Sequence, residues 1–451
     1  MKLLKVATLL AILSVLITGC ETSSESPENL LKDNIVYDKS RNELYTFINK
    51  SMDGTTLLLP KNSSEVGQIN EINSNIIAFQ KDVDVNLSMN KVGFVLISQD
   101  DDGYTMEDTI LEDGEYIEYA NFYDLNDDGL DEVILLINDD LQTTMHVYET
   151  KNNKISELSE IKPNWIENYK NLNSMKIKIG HLNNDNLEMD ILMLNSDSTN
   201  GDVYATVLNY DEDNNLNISN SIKMTNVKNL DDLYINIGRV NNNRKGAILS
   251  MPTLKESGYA TQILFMEGKK LKKAFDEDEV IYNSYYVPVK DVNGDGVMDI
   301  PVLNNKMIED YTTNSKASSL VTWRKWNNKS GQDAGTIFIS QVYYNYKNNL
   351  QFLVPDNLAN KLYIQKTLTL DTPYYTFYYY DEENKQNIEL FQISVAPKSL
   401  VEDTNANSKI ESILGETDNN YYQLLIKNKE AFEKYDLTLE NMKEYFSIIY
   451  E

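Results

Sequence analysis

The sequence predicts a mainly β protein, built from four-strand units that close into a β-propeller of about five blades and followed by a small α+β domain. Three observations carry this. An Asp- and Asn-rich loop recurs with openings at Asp124, His181, Arg239 and Asp291, which places successive copies 57, 58 and 52 residues apart. A near-constant period of this size marks a repeat architecture. Each copy is followed by strand-length runs rich in Val, Ile, Leu and Tyr with turn residues between them. A unit of four short strands cannot bury a sheet face alone, so the units must stack on one another, and five near-equal antiparallel units favour a ring.

The cleanest loop is Asp291-Val-Asn-Gly-Asp-Gly-Val-Met-Asp299. Side-chain oxygens of Asp291, Asn293, Asp295 and Asp299, with the backbone carbonyl of Val297, form the set of hard oxygen ligands that Ca²⁺ takes. Gly296 allows the tight turn that points them inward. The spacing is like that of an EF-hand loop without its bidentate Glu at the twelfth position, and Ile300-Pro-Val-Leu303 reads as a strand where an EF-hand has a helix. An ion here staples a strand-to-strand turn. The pattern returns at Asp124-Leu-Asn-Asp-Asp-Gly-Leu-Asp-Glu132, with Asp124, Asn126, Asp128, the carbonyl of Leu130 and Glu132 in the same places. At His181 to Asp190 a His opens the loop, Asn186 replaces the Gly and the last Asp comes one residue late; at Arg239 to Gly246 the carboxylates are gone. Those departures argue against an ion at either, because Asp, Asn and Gly also cluster in ordinary turns.

Taken in order, residues 1–19 are a secretory signal. Lys2 and Lys5 give the positive start, and Val6 to Ile17 an apolar run too short to span a bilayer. Ile17-Thr-Gly-Cys20 resembles the lipobox of bacterial lipoproteins, which implies cleavage before Cys20, its acylation through sulfur by a fatty acid such as palmitate, and attachment to the outer face of the bacterial cell membrane. The chain has no other Cys, so it can form no internal disulfide and no thiolate zinc site. Residues 20–37 read as the acylated Cys with a flexible tether, polar and without a packing residue from Glu21 to Glu28.

Residues 38–334 are the expected propeller with a leading helix. Leu44, Phe47, Ile48 and Met52 fall at helical spacing, and Leu57 to Leu59 is a short strand. Unit centres fall near residues 68, 121, 178, 236 and 287, the first with its ion loop deleted. Strands are expected at 117–125, 132–138, 143–150 and 154–161, at 175–182, 189–195, 202–210 and 216–224, and at 233–240, 247–253, 259–267 and 270–275. Ring closure is expected to use either Leu57 to Leu59 or the segment around Leu320 to Trp326. From 335 to 451 the period is lost; strands at 336–346, 351–355, 361–370, 374–380 and 389–396 precede a helix that Thr438 can cap.

The intact loops resemble those of FG-GAP or VCBS-type repeats, as in integrin-like propellers. The whole chain, with lipobox, repeats and Tyr-rich tail, is similar to VCBS repeat-containing lipoproteins of Firmicutes-type bacteria. The resemblance implies a lipid-anchored, calcium-stabilised binding or interaction module. The strand order after residue 335 is similar to that of small secreted domains of the PsbP kind, a likeness that carries no site.

Charge and composition narrow the function. With 41 basic and 70 acidic residues the net charge is −29, which attracts cations and repels nucleic acid. Trp323, Trp326 and the run Tyr374 to Tyr380 could stack on a glycan or grip a peptide, but aromatics alternating on a strand ordinarily pack a sheet. Only two His occur, His146 within a strand and His181 in a decayed loop, which leaves little for a Ser/His/Asp relay. Ser98 to Gly103 misses the sialidase Asp-box, and neither a phosphate loop nor a basic patch is present. The expected protein is no enzyme: its partners are the membrane, through Cys20, and an unidentified protein or glycan. The rival readings are a polysaccharide hydrolase on a propeller scaffold, marked by an acid pair at the propeller's mouth, and a purely structural envelope component.

Overall fold

The computed structural model describes residues 39–52, 54–61, 66–82, 90–163, 172, 174–184, 188–197, 200–304, 308–309, 318–369, 372–381, 385–399 and 412–449. The expected signal segment, Cys20 and the tether to residue 37 lie outside them, as do parts of the loop at 181–190. No helix among the described residues is long and apolar enough to cross a membrane.

The fold is mainly β, in six sheets. Helix α1 (Lys39–Ser51) leads into the first sheet, β1 (Thr55–Leu57), β2 (Ile69–Ile72), β3 (Asn75–Asp82), β4 (Lys91–Asp100) and β5 (Gly103–Asp113). The second holds β6 (Tyr116–Tyr123), β7 (Glu132–Asn138), β8 (Thr143–Lys151) and β9 (Lys154–Ile161), and the third β10 (Ser174–Gly180), β11 (Asp190–Asp197), β12 (Asp202–Tyr210), β13 (Leu216–Ile218) and β14 (Ile222–Met224). The fourth repeats that plan with β15 (Tyr234–Asn241), β16 (Arg244–Pro252), β17 (Tyr259–Glu267), β18 (Lys270–Lys273) and β19 (Ile281–Asn283). After β20 (Ile300–Leu303) and β21 (Ile308–Glu309), the strands β22 (Ser318–Trp326), β23 (Thr336–Asn345) and β24 (Leu350–Val354) follow β20 into the fifth sheet. The sixth takes β21, β25 (Leu362–Thr369), β26 (Thr372–Asp381), β27 (Gln386–Pro397), β28 (Ile413–Glu416) and β29 (Asn420–Ile426). Short helices α2 (Lys429–Lys434) and α3 (Leu439–Tyr445) then lead to β30 (Phe446–Ile448), which returns to the edge of the fifth sheet. Among the described residues all strand pairings are antiparallel except β21 with β25.

The sheets pack face to face in chain order, as side-chain parity shows. In β7, Val133, Leu135 and Ile137 join the core shared with the first sheet, whereas Ile134 and Leu136 join the core shared with the third. In β11, Ile191 and Met193 face back and Leu192 and Leu194 face forward; in β16, Ala247, Leu249 and Met251 face back and Ile248 forward. Strands covered on both faces read as continuous apolar runs instead of alternating ones. The outer face of the first sheet, with Ile76, Ala78 and Val95, is covered by Leu44 and Ile48 of α1, and the fifth packs Leu320, Tyr343 and Phe352 against the sixth. Among the described residues no buried cluster joins the first sheet to the fifth.

Three expectations need correction. The division at residue 335 runs through a sheet, since β22 and β23 pair across it from Ser318 with Asn345 to Trp326 with Thr336; the fifth sheet ends at Val354 and gains a strand from the C-terminus. Neither candidate for ring closure bridges the ends: 55–57 pairs with β3 and 318–326 stays in the fifth sheet. The strand expected at 216–224 is two, because Ser219 breaks it: its backbone N–H and its hydroxyl oxygen bond the carbonyl and the N–H of Val207. Both Trp323 and Trp326 are core residues. Thr438 does cap α3, its side chain accepting from the N–H of Asn441 at 3.1 Å.

Candidate functional site

In unit two an Asp-rich loop joins β6 to β7, in unit five one leads into β20 with Lys290 and Asp299 bridged across its ends, and the two loops are built alike. Asp124 accepts from the N–H groups of Asp128 (3.1 Å) and Gly129 (2.9 Å), as Asp291 accepts from Asp295 (3.1 Å) and Gly296 (2.8 Å). The Asn126 and Asn293 oxygens accept from Asp128 and Asp295, whose own carboxylates accept from Leu130 and Val297, both at 2.9 Å. The closing carboxylates reach back to the second loop residue, Glu132 to the Leu125 N–H (2.8 Å) and Asp299 to that of Val292 (3.1 Å). The backbone is left-handed at the same two places, Asp127 and Gly129 in one loop, Gly294 and Gly296 in the other. Gly129 and Gly296 make that conformation cheap.

All ten residues named from the sequence therefore lie in two matching loops. The second oxygens of Glu132 and Asp299 are buried with no hydrogen-bond partner. Burial pushes Glu132 up to about 7, helped by the nearby Asp128, Asp124 and Glu149 carboxylates. Asp299 is raised for the same first reason, with Asp295 and Asp291 adding to it. A buried, unpartnered carboxylate oxygen beside further carboxylates and amide oxygens fits a hard divalent cation. Each loop also holds a lysine that sequence spacing does not reveal. Lys325 from β22 bonds the Asp295 carboxylate at 2.5 Å and holds its pKa below the usual range; Lys151 lies 3.7 Å from Asp128 and 3.5 Å from Glu149.

In the third loop the closing group is in place: Asp190 accepts from Leu182 (2.7 Å) and Asn183 (3.0 Å), and its pKa is raised by burial. His181 Nδ1 sits 3.2 Å from the Glu188 carbonyl. Units one and four have two-residue hairpins, Asn73-Ser74 between paired Ile72 and Asn75, and Asn242-Asn243 between paired Asn241 and Arg244.

Neighbouring turns are clamped by asparagine amides, a feature missed in the sequence because each clamp spans about one repeat. Asn73 donates to the Asp131 carbonyl (2.7 Å) and accepts from the Asp131 N–H (3.0 Å); Asn184 does the same with Asn243 (2.7 Å) and Lys245 (2.9 Å). Asn126, fully buried, ties its loop to Asn214 at 2.7 Å.

A second site, also unforeseen, is a cavity of about 880 Å³ where β6, β10 and β15, the first strands of sheets two, three and four, face one another. Tyr116, Tyr119, Tyr123 and Tyr234 line it, with Glu118, Asn121, Lys176 and Asp231. Lys176 directs its ammonium at the carbonyls of Leu230, Asp231 and Leu233, at 2.9, 3.0 and 2.8 Å, and burial lowers its pKa. Burial raises that of Glu118, against a 3.3 Å hydrogen bond from Thr143. Successive-sheet packing builds this cavity, so no local motif marks it.

No protein-family model matches the chain, and no curated protein does. Solved structures give weak likenesses. An exotype rhamnogalacturonan lyase aligns over 75% of this chain and 69% of its own at 11% identity and a TM-score of 0.28. A 6-phosphogluconolactonase-type protein from Bacteroides uniformis aligns over 73% and 82% at 8% identity and 0.28. The β-propeller domain of the Trilobed protease from Pyrococcus furiosus aligns over 72% and 88% at 7% identity and 0.26. Nothing about this chain's chemistry follows from them.

Proposed function

We propose that this chain is a lipid-anchored binding module of the bacterial cell surface, an open propeller-like stack of five blades stapled by Ca²⁺ and completed by a C-terminal α+β unit. The observation that carries the binding role is the tyrosine-lined cavity at the inner strands of sheets two to four. A cavity of several hundred Å³ with aromatic walls and a few fixed polar groups is the usual form of a ligand site. Its acids, Glu118 and Asp231, are matched by Lys176 and Lys178, so the lining favours a neutral, polyhydroxylated ligand: tyrosine faces for a sugar ring, carboxylates and the Asn121 amide for its hydroxyls. Calcium at the loops of Asp124–Glu132 and Asp291–Asp299 is supported by their oxygen donors and by the unpartnered oxygens of Glu132 and Asp299. The anchor at Cys20 rests on the lipobox resemblance; a Cys20→Ala chain is expected in the medium instead of the membrane fraction.

The test is an array of neutral wall and capsule glycans probed with the calcium-loaded protein beside Tyr234→Ala and Glu118→Gln. Binding of one glycan class, weakened in both variants, is the expected result. Failure to bind any glycan, together with peptide binding that both variants leave intact, would sink the cavity reading.

One observation favours the hydrolase reading. Glu118 and Asp231 line the same cavity, and burial raises the pKa of Glu118, the direction a general acid needs. Release of new reducing ends from a bound glycan, abolished in Glu118→Gln, would establish it; binding without turnover keeps the module reading.

A further inference from the structure

Away from the loops and the cavity, one buried histidine sits among carboxylates where the first two sheets meet. His146 on β8 is 4% exposed, and its Nδ1 lies 3.0 Å from Oε1 of Glu157 on β9. Glu112, on β5 of the neighbouring sheet, completes the group: one ligand-capable atom from each of the three residues lies within 4.8 Å of the others. Among the described residues no other set of three or more His, Cys, Asp or Glu is so close, and the three carboxylates of either Asp-rich loop are spaced wider than this.

Glu112 is oriented by the hydroxyl of Tyr148, which donates to its Oε1 at 3.1 Å from a fully buried ring. That is how a supporting hydrogen bond fixes a metal-ligating carboxylate. Glu112, Glu157 and Glu160 all bear on the same tyrosine, whose ring stacks on the His146 imidazole with centroids 6.0 Å apart. Carboxylates this close repel unless a cation lies between them.

We propose that Glu112, His146 and Glu157 form a transition-metal site, chemically distinct from the oxygen-only calcium loops. An imidazole nitrogen with two carboxylates suits a borderline divalent ion such as Zn²⁺ and is a poor set for Ca²⁺. Tetrahedral Zn²⁺ with ligands at about 2.0–2.2 Å places neighbouring ligands about 3.3 Å apart. Nδ1 and Oε1 already stand near that separation, and a rotamer change of the exposed Glu157 side chain can close the rest. Three protein ligands leave the fourth position to water. The ion would staple the first sheet to the second through β5, whereas the Asn73 clamp on Asp131 joins them at the turn between β2 and β3.

The experiment is a Co²⁺ titration of the full chain in detergent, saturated with Ca²⁺ and followed by visible absorption, then displacement by Zn²⁺. Expected are one Co²⁺ per chain with the intense bands of a four-coordinate site, and affinity lower by at least about tenfold in Glu157→Gln and in His146→Gln. Glu157 is exposed, so its variant should fold, as a melting temperature equal to wild type without transition metal would verify; that variant decides if the buried His146 change does not fold. Absence of the bands, or Co²⁺ binding undiminished in Glu157→Gln, would overturn the proposal and leave a hydrogen-bonded His–Glu pair.

Discussion

The same junction, where the chain turns into the second strand of a unit, is made in two ways. Units one and four use a bare two-residue hairpin; in units two and five residues 124–131 and 291–298 lie between the paired Tyr123 and Glu132 and the bridged Lys290 and Asp299, and the loop's carboxylates take up its own N–H groups. The hairpin at Asn73-Ser74 turns with both residues left-handed and leaves no charge behind. The Asp-rich loops turn by hydrogen bonds to carboxylates, and in doing so bury one oxygen of Glu132 and one of Asp299 that no protein group satisfies. The difference teaches that the hairpin is complete in itself, whereas each loop leaves a buried carboxylate oxygen that the protein does not satisfy.

The comparison breaks most sharply by removing the first loop residue. Asp124→Ala with Asp291→Ala deletes two charge-assisted bonds in one loop and three in the other, about 3 kcal/mol at each loop before any ion is considered. Calorimetry should then register no calcium at the loops, and the melting temperature should fall even in EGTA. Next comes the closing group. Glu132→Gln should stabilise the calcium-free protein at pH 8 by on the order of 1–2 kcal/mol, since it removes a buried charge, yet abolish stabilisation by calcium. The sign follows from linkage: between the ordinary Glu value of 4.5 and about 7 the folded chain holds a proton that the unfolded chain has lost, so this group's contribution falls as pH rises through that window. Thermal melts from pH 4 to pH 8 in EGTA should show that slope in wild type and its loss in the variant.

Smaller effects sharpen the picture. Asn73→Ala removes the paired amide clamp to Asp131 and should cost about 1–2 kcal/mol in chemical denaturation, with Asn184→Ala close to it because the bonds are alike. The smallest change in stability is expected from Lys325→Gln. It frees Asp295 from an ammonium and should tighten calcium at that loop several-fold in calorimetry, with little movement of the calcium-free melt.

Much of this was legible in the sequence because it is local. The repeat period, the helix before the first sheet, the Thr438 cap and most strands follow from spacing and turn chemistry within a few residues. The ten loop residues were legible for the same reason. What escaped is what successive sheets make between them. Lys325 enters the last loop from β22, Glu149 approaches the second from β8, and Glu118, Lys176 and Asp231 meet in a cavity from segments more than fifty residues apart. Loss of the period near residue 335 does not stop hydrogen bonding: β23 pairs with β22, and the last described strand pairs with β24.

The two covers at the ends of the row have a meaning for the molecule among its own kind. Every inner sheet finds its match in the next, but an end sheet has no such neighbour, and α1 at one end and the sixth sheet at the other fill that place. Without Leu44 and Ile48, or without the last hundred residues, an apolar face would lie bare, shaped by the same repeat to receive another like it. Such a face is the kind on which a second copy could continue the row, and the two covers close it.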